Sequence, residues 1–421
     1  MSSSPSSWLS PVLVFGPLFL AVLAHSGQIK YLGWLPVDAT FLATGVVFLC
    51  VLAALIDRPW LDNRLWWVLS LWILFLFPVA GMADNSYGLQ KVFTLFTITL
   101  ACVVGPFFLL RTARQQKVFF ETLIALAVIF TAMSWQAGIL RSDYGVGGEL
   151  EAGTDVMNPL SFARVVAPGL VVMTAYGFTR GRSVPVRFAW LGLAAVMLVL
   201  LFATGRRGPI VSIIASVVVM VALAPAFKKR RGRTISLAVV SALVAGWFVI
   251  RNDNAGAQRI LGFFAGESDA STSAREYIWA EAFDVIGASP WGVGWGNFPT
   301  VTDMESLTAA GGRMYPHNIF LEGLTEGGWL VGAALSVFLA VGCYRAVTGA
   351  TDTLGVAILG LVVSGMVNAF VSGDLNDQKV LWIALAMAFI TRPEAGRHAL
   401  DAPPDLATSR PTRSRRLTRT P

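Results

Sequence analysis

Apolar blocks recur along this chain from residue 8 to residue 391, each closed by a short run of Gly, Pro, Asn or charged residues. The blocks are roughly 17–25 residues long, enough for a helix to cross a ~30 Å hydrocarbon core. They fall near 8–24, 35–56, 65–82, 92–110, 118–140, 162–179, 187–204, 209–226, 234–250, 319–344, 354–372 and 380–391. Membrane β-strands alternate apolar and polar positions and would not give continuous blocks. The pattern therefore predicts an all-α polytopic membrane protein with about twelve transmembrane helices. The first block is expected to remain as a helix and not to be cleaved, because Met1–Ser7 carries no basic residue.

Composition strengthens this reading. The 421 residues are 55% hydrophobic and 14% charged, against about 25% charged in soluble domains. Cys50, Cys102 and Cys343 lie in or beside apolar blocks, so they read as small packing residues and not as a disulfide framework. With the N-terminus placed in the cytoplasm, the inside connections hold 21 of the 32 basic residues. Excess Lys and Arg in short loops sets orientation, so both termini are expected inside. The large connection 251–318, between spans nine and ten, is then external, as is 141–161. Residues 1–391 form the helical domain. The basic tail 392–421, rich in Pro, Arg, Ser and Thr, is expected to be disordered and to lie against anionic inner-leaflet lipid.

Several residues break the rules of this topology. Arg206 and Arg207 fall in the external turn TGRRG, where paired arginines are unusual. The next helix opens at Gly208–Pro209, and its positive end faces the outer leaflet together with both guanidiniums. Such a spot suits a phosphate or diphosphate; headgroup anchoring or a carboxylate salt bridge are the plainer uses. His317, in Pro316–His317–Asn318, stands at an equivalent helix start with Asn318 as the expected N-cap. It is either a hydrogen-bonded structural residue or a general base or phosphate ligand. Glu322 and Glu326 share one face of that helix, and an external arginine is their expected partner, for structure or for catalysis.

In the large loop, Ser273 and Glu276 have capping-box spacing, which predicts a helix starting at Ala274. Ile278, Ala282, Phe283 and Ile286 then form an apolar stripe that would lie on the membrane or the bundle. Arg275 falls in the first turn, where the dipole disfavours a cation, which points to a ligand or carboxylate contact or to a simple surface arginine. Gly292, Gly294 and Gly296 follow no strand, so a dinucleotide fold is not indicated. They are expected to permit a tight loop beneath the site.

Together these segments resemble the O-antigen ligase and polysaccharide polymerase family of bacterial envelopes. TGRRGPIVS is similar to that family's arginine-glycine turn and places Arg207. SAREYIWAEAFDVIGASPWGVGWGNF is similar to its loop helix and following glycine loop and places Arg275. HNIFLEGLTEGG resembles its histidine-asparagine helix start and places His317. A second arginine, Arg206, stands where the family often has a small hydroxyl residue, which leaves either arginine as the operative one. The resemblance implies transfer of a glycan from a polyprenyl diphosphate carrier to an acceptor hydroxyl on a saccharide or lipid-saccharide, at the outer face of the cytoplasmic membrane. His317, Arg207 and Arg275 would be catalytic, and Arg206, Arg207, Arg275, Asn318 and Glu322 would bind substrate. Inversion in a single displacement is expected, with no cofactor, no metal and no nucleic-acid partner; membrane lipids surround the chain.

A secondary transporter or flippase for an anionic or lipid-linked saccharide is the alternative of a different class. Transporter sites lie near the bilayer midplane in repeated halves, whereas these charges gather at one rim and no internal repeat is evident. A cell-wall polymerase of the shape, elongation and division type fits the histidine motif less well. The topology is open to direct test. A cysteine introduced at Lys228 should resist an impermeant thiol reagent in intact cells, and one introduced within 251–318 should react. Labelling at position 228 from outside would overturn the orientation.

Overall fold

A computed structural model describes residues 9–28, 38–57, 62–136, 159–178, 184–227, 270–302 and 315–390, with isolated positions 232, 247, 251, 262 and 265. The expected ninth span at 234–250, apart from Trp247, the tail 392–421 and residues 141–158 of the segment 141–161 expected outside lie beyond the described residues. Those described are helical, with no strand among them.

In chain order, α1 is Leu9–His25, α2 Ala39–Asp57 and α3 Asn63–Leu74. Next, α4, Ser86–Thr94, continues through a π-turn at Leu95–Thr99 into α5, Leu100–Leu109. Then come α6 Ala113–Gln136, α7 Pro159–Phe178, α8 Val184–Ala203 and α9 Arg207–Leu223. Further along the described residues lie α10 Ala270–Ala288, the single turn α11 Phe298–Val301 and α12 Ile319–Thr325. The last described helices are α13 Gly328–Thr348, α14 Thr353–Val371 and α15 Lys379–Ile390. Among the described residues, seven helical segments are long and apolar enough to cross a membrane, and four further apolar helices are shorter.

The outer faces of this bundle are apolar, as a lipid-facing surface must be. Phe48, Leu49, Ile56, Trp67 and Phe77 are all exposed. Helices α7 and α15 are the opposite case, enclosed along nearly their whole length. Small residues let the helices approach closely: a Cβ on Gly360 of α14 would stand 2.6 Å from Val171 Cγ1 of α7, which is how helices pack where no hydrophobic drive brings them together.

The bundle has two polar ends. At one, the Arg64 guanidinium at the start of α3 donates to the Phe389 and Ile390 carbonyls at 2.9 and 3.0 Å, satisfying the terminal carbonyls of α15 that have no intrahelical partner. At the other end gather the end of α1, the starts of α4, α7, α9, α12 and α15, and the end of α14. Every residue singled out from the sequence as a site candidate, apart from those in α10, sits at this second end.

Two expectations about helices need correction. The block 319–344 is not one helix: α12 stops at Thr325 and α13 begins at Gly328, whose φ is +77°. A Cβ there would also stand 2.4 Å from the Trp291 carbonyl carbon, so only glycine permits the break. Helix α10 starts at Ala270, not Ala274. Ser273 and Glu276 therefore lie inside the helix, and Arg275 stands in its second turn and not its first. The stripe on α10 is partly as expected. Ile278 and Ala282 are buried against Phe298 and Leu321, so the helix packs on the bundle, while Phe283 is exposed.

The glycine loop at 292–296 locks these pieces together. Gly292, Gly294 and Gly296 have φ of +81°, +89° and +81°, which side chains with a Cβ rarely adopt. A Cβ on Gly294 would come 1.9 Å from the Gly81 carbonyl oxygen. Gly294→Ala should therefore lower the melting temperature sharply or abolish the folded fraction in detergent. Gly45→Ala, where a Cβ meets nothing within 4 Å, should change neither.

Candidate functional site

The foundation of the site is a buried ion cluster. Lys91 Nζ of α4 lies 2.7 Å from Glu322 Oε1 and 2.5 Å from Glu326 Oε2, and the three side chains are at most 1% exposed. The expected arginine partner of these carboxylates is thus a lysine from a distant helix. Arginine would bring a planar fork; lysine brings a compact charge that two carboxylates can share. Backbone amides also donate to both carboxylates. Glu326 Oε2 accepts from Gly296 N–H at 2.9 Å and Glu322 Oε2 from Leu375 N–H at 2.8 Å. A buried charge is tolerable only when paired and hydrogen-bonded in this way. Glu322 therefore sits beneath the site holding the loop at Leu375, and Glu326 holds the glycine loop.

Each of those loops carries a functional candidate or its support. The 372–378 loop is pinned at four points. Besides Leu375, the Asn376 amide donates to the Lys91 carbonyl at 3.1 Å and accepts from Thr99 Oγ1 at 2.7 Å, and Asp377 N–H donates to Asp374 Oδ1 at 2.8 Å. This places Asp377 against Arg164 in α7, with Arg164 Nη1 3.4 Å from Asp377 Oδ2 and Nη2 donating to Ser372 Oγ at 3.1 Å. Arg164 and Asp377 escaped the sequence reading, because nothing in the chain marks a single arginine at the head of a predicted span. One signal was present for Lys91: it is the only charged residue of the apolar helical run 86–109, and ionisable groups in such places mark a site or its support.

His317 stands next to these groups. Its φ is +54°, the only positive value at a non-glycine among the described residues, an uncommon conformation for a bulky side chain. The strain is held from both sides. Asn318 is the N-cap, as expected, its side chain accepting from Phe320 N–H at 2.9 Å and Leu321 N–H at 3.3 Å. On the other flank, Trp279 Nε1 of α10 donates to the Pro316 carbonyl at 2.9 Å, and the Tyr315 ring lies 4.4 Å from the imidazole. Burial pushes the His317 pKa down to about 4, and the positive charges of Arg275 and Arg164 push the same way, while Asp377 opposes them. The imidazole is therefore neutral at pH 7 and able to accept a proton. Arg275 and His317 thus act on one another electrostatically.

The TGRRG turn reaches the same place by another route. Gly205 has φ +65°, Arg206 is the residue before α9 and Arg207 its first residue, one ahead of the expected start. Pro209 falls in the first turn, where its missing N–H costs nothing. A Cβ on Gly208 would be 3.7 Å from Asn368 and from Val371 at the end of α14. The neighbouring Phe370 stacks on Phe320 of α12 at 4.7 Å. The arginine turn and the histidine helix therefore abut the same last turns of α14. Among the described residues, no group of three His, Cys, Asp or Glu side chains is placed to hold a metal ion.

Residues 192–336 match the model of a family described as O-antigen ligase. The match supports assigning the chain to the O-antigen ligase and polymerase family. It indicates membrane glycan processing of that general type. The matched region holds Arg206, Arg207, Arg275, His317, Asn318, Glu322 and Glu326. Lys91, Arg164 and Asp377 lie outside it, so the ligase-type region is completed by helices on either side. A search among curated proteins gave no match.

The ion cluster generates a stability test. Lys91→Met leaves two buried carboxylates without their cation and should cost about 3–5 kcal/mol, the range for breaking a buried pair. Thermal unfolding in detergent should show this as a large drop in melting temperature. The triple change Lys91→Met, Glu322→Gln, Glu326→Gln should recover part of the loss. A single variant as stable as the parent would show that the cluster does not support the fold.

Proposed function

We propose that this protein transfers a glycan from a polyprenyl diphosphate carrier to an acceptor hydroxyl at the outer face of the cytoplasmic membrane, with inversion at the anomeric carbon. One observation carries the reading: a histidine kept neutral by burial and by two arginines, at the end of the bundle where a second arginine pair opens a helix. Neutral imidazole beside fixed cations is the combination that a proton-accepting step next to a departing diphosphate requires.

In this reading the acceptor oxygen attacks the sugar C1 as the bond from C1 to the diphosphate oxygen breaks. The acceptor proton passes to His317, and the electron pair of the broken bond leaves with the diphosphate. Arg207 and Arg275 take the developing negative charge, with Arg206 beside them and the positive end of α9 adding its dipole. Fixed charges of this kind act without reorganisation in a site shielded from water. The reading assigns that stabilisation to arginines and invokes no metal ion or cofactor. Asn318 fixes the helix start that presents His317, and Glu322 acts through the loop it holds. Both termini would lie in the cytoplasm and the site outside, so the carrier lipid reaches it from the outer leaflet.

The pH profile and three variants test this assignment. Because the His317 pKa lies at about 4, turnover of membranes or purified protein should rise with pH through that value and be level from about pH 6 upward, provided chemistry limits the rate. His317→Ala should retain donor binding and lose transfer by roughly 10²–10⁴-fold, the usual contribution of general base catalysis. Arg207→Ala and Arg275→Ala should lose donor binding as well, and Arg→Lys should restore only part, since lysine lacks the bidentate fork. If His317→Ala loses donor binding but turns over what still binds, the histidine is a phosphate ligand and the base lies elsewhere.

A further inference from the structure

A cleft opens at the same end of the bundle, between the end of α1, the first turns of α7, the start of α9, α14 and the loop into α15. Its polar lining is mixed. Arg164 and Asp377 are paired across it, so their charges cancel and a free anion gains little there. Asn368 and Gln378 each use the amide nitrogen on a backbone carbonyl, of Ser364 and Ser372 respectively, which leaves their carbonyl oxygens as acceptors. His25 also lines the cleft. It is 1% exposed, and its Nε2 has no hydrogen-bond partner. An orphaned buried polar atom calls for a ligand group or water to satisfy it. Between these groups the wall is apolar, formed by Pro168, Pro209 and Leu381 among others.

Open acceptors, no net charge and apolar patches between them match the surface of a sugar ring, whose hydroxyls can donate to such acceptors and alternate with C–H faces. We propose that this cleft is a saccharide-binding subsite, which rests on the glycan-transfer reading above. Its position supports the connection. Pro209 lies two residues from Arg207, and Arg164 and Asp377, which line the cleft, also act on His317. A sugar seated here has one end at the arginine turn and its flank at the pair that faces the histidine. Hydroxyl recognition by otherwise unpaired buried groups discriminates strongly, because the wrong sugar leaves those groups unsatisfied.

The test uses the full-length protein in detergent micelles and the delipidated oligosaccharide released by mild acid from the host's own envelope polysaccharide. Saturation-transfer NMR should show binding to the parent. Asn368→Leu, which removes an acceptor, and Gln28→Trp, which fills the cleft from its rim, should each weaken binding at least tenfold while melting temperature stays within a few degrees. Arg207→Ala should keep oligosaccharide binding, because its contact is to the diphosphate. In a parallel transfer assay, a raised KM for the free acceptor alone would assign the subsite to the acceptor, and a raised KM for the lipid-linked donor alone would assign it to the donor. Oligosaccharide binding that survives in both folded cleft variants overturns the subsite and leaves the transferase reading standing. Binding lost in those variants with no transfer by the parent upholds the subsite and overturns the transferase reading.

Discussion

One ammonium shared between two carboxylates, out of reach of water, is the constraint around which this end of the molecule is organised. Lys91 belongs to α4, Glu322 and Glu326 to α12 and its cap, and the two carboxylates also accept from the Gly296 and Leu375 N–H groups of two separate loops. Interactions between charges strengthen as the surrounding dielectric falls, and the cost of stranding any member rises with them. Removing one partner therefore disturbs four segments together. The glycine loop, the histidine helix and the Asp377 loop are fixed relative to one another because each is bonded to the same buried cluster.

The chemistry is built on that base by a second, more exposed set of charges. Arg164 and Asp377 form a partly solvated pair, and such pairs add little to stability. Their effect on His317 is of another kind: together with Arg275 and burial they set which protonation state the imidazole holds. The strained backbone at His317 fits the same picture. A non-glycine residue persists in the left-handed region only where its surroundings overdetermine it, and here Asn318 on one side and the Trp279 contact on the other do so. Rigid support beneath and adjustable electrostatics above are the two halves of a preorganised site.

Much of this was legible in the chain because its signals are local. Apolar block lengths located α1, α2 and α6 to α9 within about five residues, whereas the block 65–82 runs past α3, which ends at Leu74, and the block 92–110 misses the start of α4 at Ser86. Asn318 read as a cap from its position alone, and Gly292, Gly294 and Gly296 read as a tight loop from residue type. What failed was non-local or depended on backbone detail. The partner of Glu322 and Glu326 is 231 to 235 positions away in the sequence, and no periodicity carries information over that distance; an arginine was the reasonable expectation, and Lys91 was found. The break at Gly328 was hidden because both sides of it are apolar and helical. Arg164 was passed over because one charge at the head of a span resembles ordinary interfacial anchoring until Asp377 is seen beside it. The start of α10 moved four residues because a capping box is only one of several ways to begin a helix.

The central claim is that the neutral histidine and the arginines carry out glycan transfer and not movement of a solute. Purified protein reconstituted in liposomes with a polyprenyl-diphosphate-linked glycan and an acceptor saccharide tests it most directly, with the anomeric configuration of any product read by NMR. The account predicts glycan on the acceptor, configuration inverted at the transferred C1, and free polyprenyl diphosphate released in equal amount. A product with retained configuration would contradict the single displacement. Translocation of the lipid-linked glycan between leaflets with no glycan reaching the acceptor would contradict the transferase itself.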